Sequence, residues 1–271
     1  GVVALSVYPS SLLLEEYIIP SDVKIIDGYA FSSCKNLKRV IIPETVESFG
    51  PALFQNSTSI EEVIIDSKIT TLPQMTFHNS SIKKVTLPET IEVIEVGAFN
   101  LCKNLNYIDL PYGLKTIVGA AFNGSGLIEL VLPDSVISID QAFMNCNKLE
   151  KVTLSNSLRD IGPSCFRESK ITEIVIPESM VEIPDYAFCA CFDLTTVYLP
   201  KTISYFNQKA FSGCSKLSDI IVDEENPYIK IENGILYNED YTELLFVNRN
   251  IVGEVVEIKN GVKEIAQESF M

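Results

Sequence analysis

The amino-acid sequence predicts a β-rich solenoid, a stack of short coils that together form a parallel sheet along one face. Two repeating features support this fold class. An aromatic side chain returns every 21 to 23 residues, and a short apolar triplet follows each aromatic. A unit of this length with one short strand cannot bury its apolar side alone, so neighbouring units must stack to bury it.

The aromatic residues and the small residues that follow them define the repeat. The aromatics are Tyr8, Phe31, Phe54, Phe77, Phe99, Phe122, Phe143, Phe166, Phe188 and Phe211. Three positions after each stands a small residue: Ser11, Cys34, Ser57, Ser80, Cys102, Ser125, Cys146, Ser169, Cys191 and Cys214. A Leu or Ile follows two or three residues later. We therefore expect the aromatics to form a continuous ladder buried inside the solenoid.

Each unit continues into a triplet with two apolar positions, such as "VII" at 40–42, "VTL" at 85–87 and "VYL" at 197–199. This alternation has the period of a strand with one buried face. Proline usually follows and ends the strand, because it has no N–H to donate. In the rest of the unit, apolar residues three apart, such as Ile91 and Ile94, favour a short 3₁₀ turn or an irregular extended segment on the convex side.

The repeat extends over residues 1–271 as a single domain of about eleven coils, with an axis of about 50 Å at roughly 4.8 Å per coil. Residues of about 224–254 depart from the unit. They contain "NG" at 233–234 and "NED" at 238–240, which predict the tight turns of a β-hairpin insertion. Because Tyr8 is already in phase and the chain stops just after Phe270, we expect both ends to be cut within a repeat.

The charge of the chain argues against several classes of partner. With 21 basic and 36 acidic residues, the net charge is −15 at pH 7. Nucleic acids and anionic membranes require clustered Lys and Arg, so neither is expected as a partner. No apolar run approaches the roughly 18 residues that cross a bilayer, so we expect no direct membrane insertion.

No motif predicts a catalytic residue, a metal ligand or a cofactor. The single histidine, His78, occupies a position that varies freely, and neither G-x-S-x-G, H-E-x-x-H nor a Gly-rich phosphate loop occurs. The acidic "DEEN" at 223–226 lacks the spacing of a calcium loop. Five of the seven cysteines occupy the small position, so we expect free thiols. Only Cys191 and Cys214 stack in adjacent coils at a separation that permits a disulfide.

The units resemble those of the BspA-type leucine-rich repeat proteins. The resemblance rests on "AFSSCKNL" at 30–37, "AFNLCKNL" at 98–105 and "AFMNCNKL" at 142–149, together with the "LP" or "IP" strand end. Residues 225–247 also resemble a hairpin insertion of that family. The resemblance implies a leucine-rich-repeat solenoid with a right-handed superhelix, an extracellular or cell-surface location, a role in adhesion or protein recognition, and no catalytic activity.

The outward side chains of the stacked strands form the candidate binding surface. One column alternates in sign, as in Glu16, Arg39, Glu62 and Lys84. Opposite charges on neighbouring strands stabilise a sheet by a few tenths to about 1 kcal/mol each, so this column has a structural interpretation. A long apolar stripe often marks an interaction site. The candidate binding residues, the first eight of them on four successive predicted strands, are Arg39, Ile41, Glu62, Ile64, Lys84, Thr86, Tyr107, Asp109, Val131 and Tyr198.

The sequence therefore predicts a non-enzymatic module that binds a protein or another extracellular macromolecule through this face. Tyr107 and Tyr198 are the expected anchors, because tyrosine is enriched at interaction hot spots. A structural spacer or stalk that presents another domain is the main alternative. An enzyme built on the repeat scaffold ranks behind both.

Overall fold

The computed structural model describes residues 2–9, 12–248, 255–267 and 269–270. It is a β-solenoid of about eleven turns with almost no helix, which confirms the predicted fold class. Ser11 and the end of the predicted insertion, residues 249–254, lie outside the described residues. Among the described residues, the one helical element is the 3₁₀ turn Gln208–Phe211. No described helix has the length and apolar character needed to cross a membrane.

The predicted triplets form one side of the solenoid, which we call the main sheet. Equivalent residues of neighbouring coils pair in parallel, as Val40 does with Val63 and Val63 with Val85. Hydrogen bonds join the strands in runs of four, two and three along the axis. The main-sheet strands are Glu16–Ile18, Arg39–Ile42, Glu62–Ile65, Lys84–Thr86, Glu129–Val131, Lys151–Thr153, Glu173–Val175, Thr196–Leu199 and Asp219–Val222.

The other half of each unit forms a second column of parallel strands, which we call the second sheet. The sequence is compatible with either a 3₁₀ turn or an extended segment in this half of the unit, and the structure shows the extended conformation. Most of these strands have only two residues, of which the second points inward, as at Ile94, Ile117 and Ile139. The strands are Val3–Leu5, Val23–Ile26, Ser48–Phe49, Thr71–Leu72, Val93–Ile94, Thr116–Ile117, Ser138–Ile139, Asp160–Ile161, Glu182–Ile183 and Tyr205–Phe206.

The aromatic ladder runs through the centre of the core. From Phe31 to Phe211 each ring stacks on the next, with centroids 4.8 to 5.7 Å apart. None of these rings is more than 2% exposed. Tyr8 continues the ladder at its N-terminal end, with its centroid 5.4 Å from that of Phe31. The predicted burial of the ladder is confirmed.

In several of the described units, the small residue after the aromatic ties adjacent coils together through a hydrogen bond. Ser57 Oγ donates to the carbonyl oxygen of Phe31 at 2.5 Å, and Cys102 Sγ donates to that of Phe77 at 3.0 Å. In both cases the acceptor belongs to the aromatic of the preceding coil. Serine and cysteine interchange at this position because each provides one donor on a short side chain.

None of the seven cysteines forms a disulfide, and six of these side chains are buried. The disulfide considered between Cys191 and Cys214 is not formed. Burial raises the pKa of the Cys102 and Cys165 thiols to about 12. Since the thiolate is the reactive species, these groups are expected to be inert at neutral pH.

Thiol counting should therefore separate the folded from the unfolded chain. We expect the buried thiols of the native protein to react slowly with an aromatic disulfide reagent at pH 7. Unreduced protein unfolded in guanidinium chloride should release seven equivalents per chain. A count well below seven in the unfolded, unreduced sample would show that disulfides exist and that this description of the thiols is wrong.

A mixed sheet follows the main sheet at the C-terminal end. Turns at 233–234 and 239–242 connect its antiparallel strands. Asn248 links it to the repeats, because its side chain accepts from Ile220 N at 2.7 Å and donates to Ile220 O at 3.1 Å. The strands of this sheet are Ile229–Glu232, Ile235–Asn238, Glu243–Val247 and Glu264–Ile265.

Candidate binding face

The outward side chains of the main sheet form a surface that we call the main sheet face. Its N-terminal half contains four adjacent parallel strands whose outward residues stand in register. Lys84 and Thr86 are exposed on this surface. Ile41 and Ile64 are half-buried between their neighbours. The structure thus brings together the predicted residues Arg39, Ile41, Glu62, Ile64, Lys84 and Thr86.

The alternating column of charge is a continuous series of ion pairs. The Arg39 guanidinium contacts Glu16 and Glu62, with both N–O distances 2.8 Å, and Lys84 Nζ lies 3.2 Å from Glu62. Hydrogen bonds to Glu16 and Glu62 raise the pKa of Arg39. Hydrogen bonds from Lys84 and Arg39 lower the pKa of Glu62. These charges neutralise one another, which supports the structural interpretation of this column.

The prediction that Tyr107 and Asp109 lie on the next strand is wrong, because residues 107–109 form no strand. In the described part of the chain, no backbone hydrogen bond joins residues 107–110 to Lys84–Thr86. A cleft of about 590 Å³ opens between the two segments. The in–out alternation persists, with Ile108 buried between two exposed neighbours. The alternation of apolar residues therefore predicts which of these side chains are buried, but it does not predict whether their backbone pairs with the neighbouring strand.

Tyr107 nevertheless points outward, and its side chain is 58% exposed. Its hydroxyl donates to Asp109 Oδ1 at 2.6 Å, and this hydrogen bond raises the pKa of Tyr107. The polar end of the tyrosine already has a partner, so its ring is the part that remains free for contact. The two predicted residues are close to each other but separated by the cleft from the ion-pair series.

The C-terminal half of the main sheet face contains exposed apolar side chains. Val131 is 54% exposed on its strand. Further along, Val175, Tyr198 and Ile221 are register partners on three neighbouring parallel strands. They are 61%, 37% and 45% exposed. These three side chains form an uninterrupted apolar stripe on a hydrogen-bonded backbone.

A depression of about 830 Å³ lies along this apolar stripe. Its lining includes acidic residues that the sequence analysis did not assign to the binding surface: Glu178, Asp223, Glu224 and Glu225. The sequence contains a feature that could have indicated this position of the acidic residues. Asp223 stands where most units have the proline that follows the strand, so the "DEEN" segment begins directly at the edge of the main sheet.

Buried Asn226 fixes the position of this acidic segment. Its Nδ2 donates to the carbonyl oxygens of Pro200 at 2.9 Å and Ile203 at 3.0 Å. Asp223 Oδ1 accepts from the backbone N–H of Glu225 at 2.8 Å. The acidic residues therefore project from a turn held by hydrogen bonds to the repeats.

One cation faces these acids. Lys201 Nζ lies 2.9 Å from Glu225 Oε2. The hydrogen bond to Glu225, together with the charges of Glu178 and Asp223, raises the pKa of Lys201. Among the described residues, Glu178 and Glu224 form no ion pair. The edge of the depression thus carries uncompensated negative charge.

The described residues outside the main sheet face include potential metal ligands and a histidine. Over the described ranges, no three or more His, Cys, Asp or Glu side chains are grouped to hold a metal ion. His78 is half-buried, and its Nδ1 is buried without a hydrogen-bond partner among the described residues. Among the described residues, no carboxylate therefore accepts a hydrogen bond from this nitrogen, as the orienting aspartate of a catalytic triad would.

Fold and surface together define a leucine-rich repeat solenoid whose parallel sheet is open on its outward side. The family model described as BspA type leucine rich repeat region (6 copies) matches residues 6–129 and 115–242. The chain belongs to this BspA-type leucine-rich repeat family, which consists of non-enzymatic repeat proteins. Among curated proteins, no significant match to the chain is found.

Solved structures of bacterial leucine-rich repeat proteins are similar to this one. A protein from Bacteroides ovatus ATCC 8483 gives a TM-score of 0.65 at 24% identity, covering 94% of this chain and 72% of its own. A protein from Eubacterium ventriosum ATCC 27560 gives 0.48 at 18% identity, with 100% and 88% covered. A leucine rich cell surface protein from Faecalibacterium prausnitzii A2-165 gives 0.34 at 19% identity, with 78% and 88% covered. The first of these structures supports the fold.

Proposed function

We propose that this chain is a non-enzymatic binding module that recognises a protein or another extracellular macromolecule through the main sheet face. The observation that carries the proposal is the apolar stripe of Val175, Tyr198 and Ile221, exposed on three hydrogen-bonded strands. Exposed apolar patches with a polar rim are typical of interaction sites. Because the strands are rigid, little conformational entropy opposes binding.

The proposal includes a location outside the cell or on its surface. Support comes from the family, since BspA-type repeats are found largely in secreted or surface-anchored microbial proteins. The strongly acidic surface, with a net charge of −15, is compatible with a partner that is neither nucleic acid nor anionic membrane. A spacer that only presents another domain would bind no partner at the main sheet face, which separates the two functions experimentally.

The test uses the tyrosines of the main sheet face. A panel of immobilised extracellular proteins would first be screened with the wild-type chain by surface plasmon resonance. We expect the variant Tyr107→Ala/Tyr198→Ala to keep the fold, since both side chains point outward. Its affinity for a genuine partner should fall by more than about 1 kcal/mol per tyrosine, because tyrosine anchors carry much of the energy of an interface.

A matched control is available on other surfaces of the solenoid. Tyr29 and Tyr205 are 57% and 54% exposed and lie off the main sheet. The variant Tyr29→Ala/Tyr205→Ala should bind like the wild type. Unchanged binding by the Tyr107/Tyr198 variant, or an equal loss in the control, would contradict recognition through the main sheet face. The absence of any partner across a broad panel would favour the spacer.

A further inference from the structure

We propose that the depression at the C-terminal end of the main sheet face binds a basic segment of a partner protein, in which an apolar or aromatic side chain is flanked by Lys or Arg. The inference rests on the proposed function and specifies the chemistry of the partner. It is carried by two independent features of one site, an apolar floor and an acidic edge.

The floor of the depression is the stripe of Val175, Tyr198 and Ile221. These residues occupy the same position on adjacent parallel strands, with Val175 paired to Tyr198 and Tyr198 to Ile221. The volume of about 830 Å³ falls in the range of roughly 300–1,000 Å³ typical of ligand pockets. A large apolar side chain of a partner can therefore bury its surface against a preorganised floor.

The edge selects the charge of the partner. The acidic edge already binds one ammonium group of the chain itself, since Lys201 Nζ lies 2.9 Å from Glu225 Oε2. Glu178 and Glu224 line the same depression without an ion-pair partner among the described residues. A Lys or Arg beside the apolar anchor would pair with them, and the net charge of −15 would steer a cationic segment toward the chain.

The same charges disfavour other occupants. A phosphate-rich polymer or an anionic lipid surface would be repelled by the acidic edge. An uncharged apolar segment would leave Glu178 and Glu224 unpaired next to a surface that excludes water, which costs free energy. A partner that combines an apolar centre with basic flanks satisfies both features at once.

The experiment uses the whole chain and a fluorescein-labelled synthetic peptide with one Trp flanked on both sides by Lys and Arg. Two comparison peptides replace the Trp by Ser, or every Lys and Arg by Glu. Fluorescence anisotropy should show saturable binding of the first peptide, and affinities at least about tenfold lower for the other two. Raising the ionic strength from about 0.05 M to about 0.5 M should weaken binding, since it screens the charges at the edge.

The site variant is Glu178→Gln/Glu224→Gln, which removes the unpaired charges and leaves the turn at Asp223 intact. We expect its affinity for the basic peptide to fall by about tenfold. The control variant is Glu44→Gln/Asp66→Asn. Glu44 follows Pro43 as Glu178 follows Pro177, and Asp66 follows its strand in the same way as Asp223, the residue directly before Glu224. This control has the same net charge as the site variant and should bind within about twofold of the wild type.

Several results would overturn the inference. These are failure of the basic peptide to bind, equal binding of the Ser-substituted peptide, or equal losses in the site and control variants, since the last would indicate attraction to net charge alone. The proposed function is tested separately. A partner that depends on Tyr107 and Tyr198 but not on Glu178 and Glu224 would uphold recognition through the main sheet face and overturn the basic partner.

Discussion

Replacing Phe122 by alanine should lower the free energy of unfolding by about 3–5 kcal/mol, the range for deleting a buried phenylalanine ring. The Phe122 ring is fully buried and stacks between Phe99 and Phe143, with centroid distances of 4.8 and 5.2 Å. Its removal leaves a cavity in the middle of the aromatic ladder. The backbone of both neighbouring coils is held by hydrogen bonds, so the cavity cannot collapse easily. Denaturant titration followed by circular dichroism measures the loss.

The control for this substitution is Phe192→Ala. Phe192 lies outside the ladder and is 59% exposed, so its removal should cost less than about 1 kcal/mol. A loss below about 1 kcal/mol for Phe122→Ala, or equal losses for the two variants, would mean that Phe122 is not packed in the ladder.

Replacing Gly126 by alanine should lower the free energy of unfolding by about 1–3 kcal/mol, the usual cost of overpacking. This is the second largest effect on stability that we expect from a single substitution. A Cβ at Gly126 would lie 2.2 Å from the carbonyl oxygen of Lys103 in the preceding coil. The position of a Cβ is fixed by the backbone of residue 126, and the atom that it meets is a backbone carbonyl oxygen, so no side-chain rotation can relieve the contact. Gly126 N also donates to Cys102 O at 3.0 Å, and a shift that relieved the contact would disturb this hydrogen bond.

Gly119→Ala provides the matched control. A Cβ at Gly119 would meet its nearest atoms at 3.8 and 4.0 Å, which is ordinary van der Waals contact. Its effect on stability should stay within about 1 kcal/mol, and stabilisation is allowed because alanine reduces the entropy of the unfolded chain. If Gly126→Ala proved as mild as Gly119→Ala, the close approach of the coils at Lys103 would be refuted.

The repeat itself allowed much of the fold to be predicted. Phe31 to Phe211 recur at one position of the unit, and a stack of units places such residues above one another, so their burial follows directly. The same reasoning gave the ion pairs of Arg39 and Glu62, since residues at equivalent positions of adjacent coils become register partners. These predictions needed only the phase of the repeat.

Features that depend on distances between backbones were not predictable in this way. Residues 107–109 keep the alternation of buried and exposed side chains of a strand. No backbone hydrogen bond among the described residues joins them to Lys84–Thr86, however, and they form no strand. The donor role of Ser57 depends on where the carbonyl of Phe31 points in the preceding coil. Neither fact is encoded in the pattern of apolar residues.

The acidic edge of the depression was missed for a different reason. Glu178 and Glu224 are far apart in sequence and belong to different coils, and the predicted binding surface consists only of outward positions of the strands. The segment that follows each strand lies at the edge of the main sheet and contributes to the same surface. Including this position in the comparison of units would have brought the acids and the apolar stripe together.

Site-specific photocrosslinking tests the central claim, binding through the main sheet face, most directly. A photoreactive amino acid would replace Thr153 on the main sheet, Glu182 on the second sheet, or Lys148 near the turns, all of which are exposed. With a partner identified in the extracellular panel, we expect a crosslinked product from position 153 and little from positions 182 and 148. Crosslinking from position 182 or 148 in preference to position 153 would contradict recognition through the main sheet face.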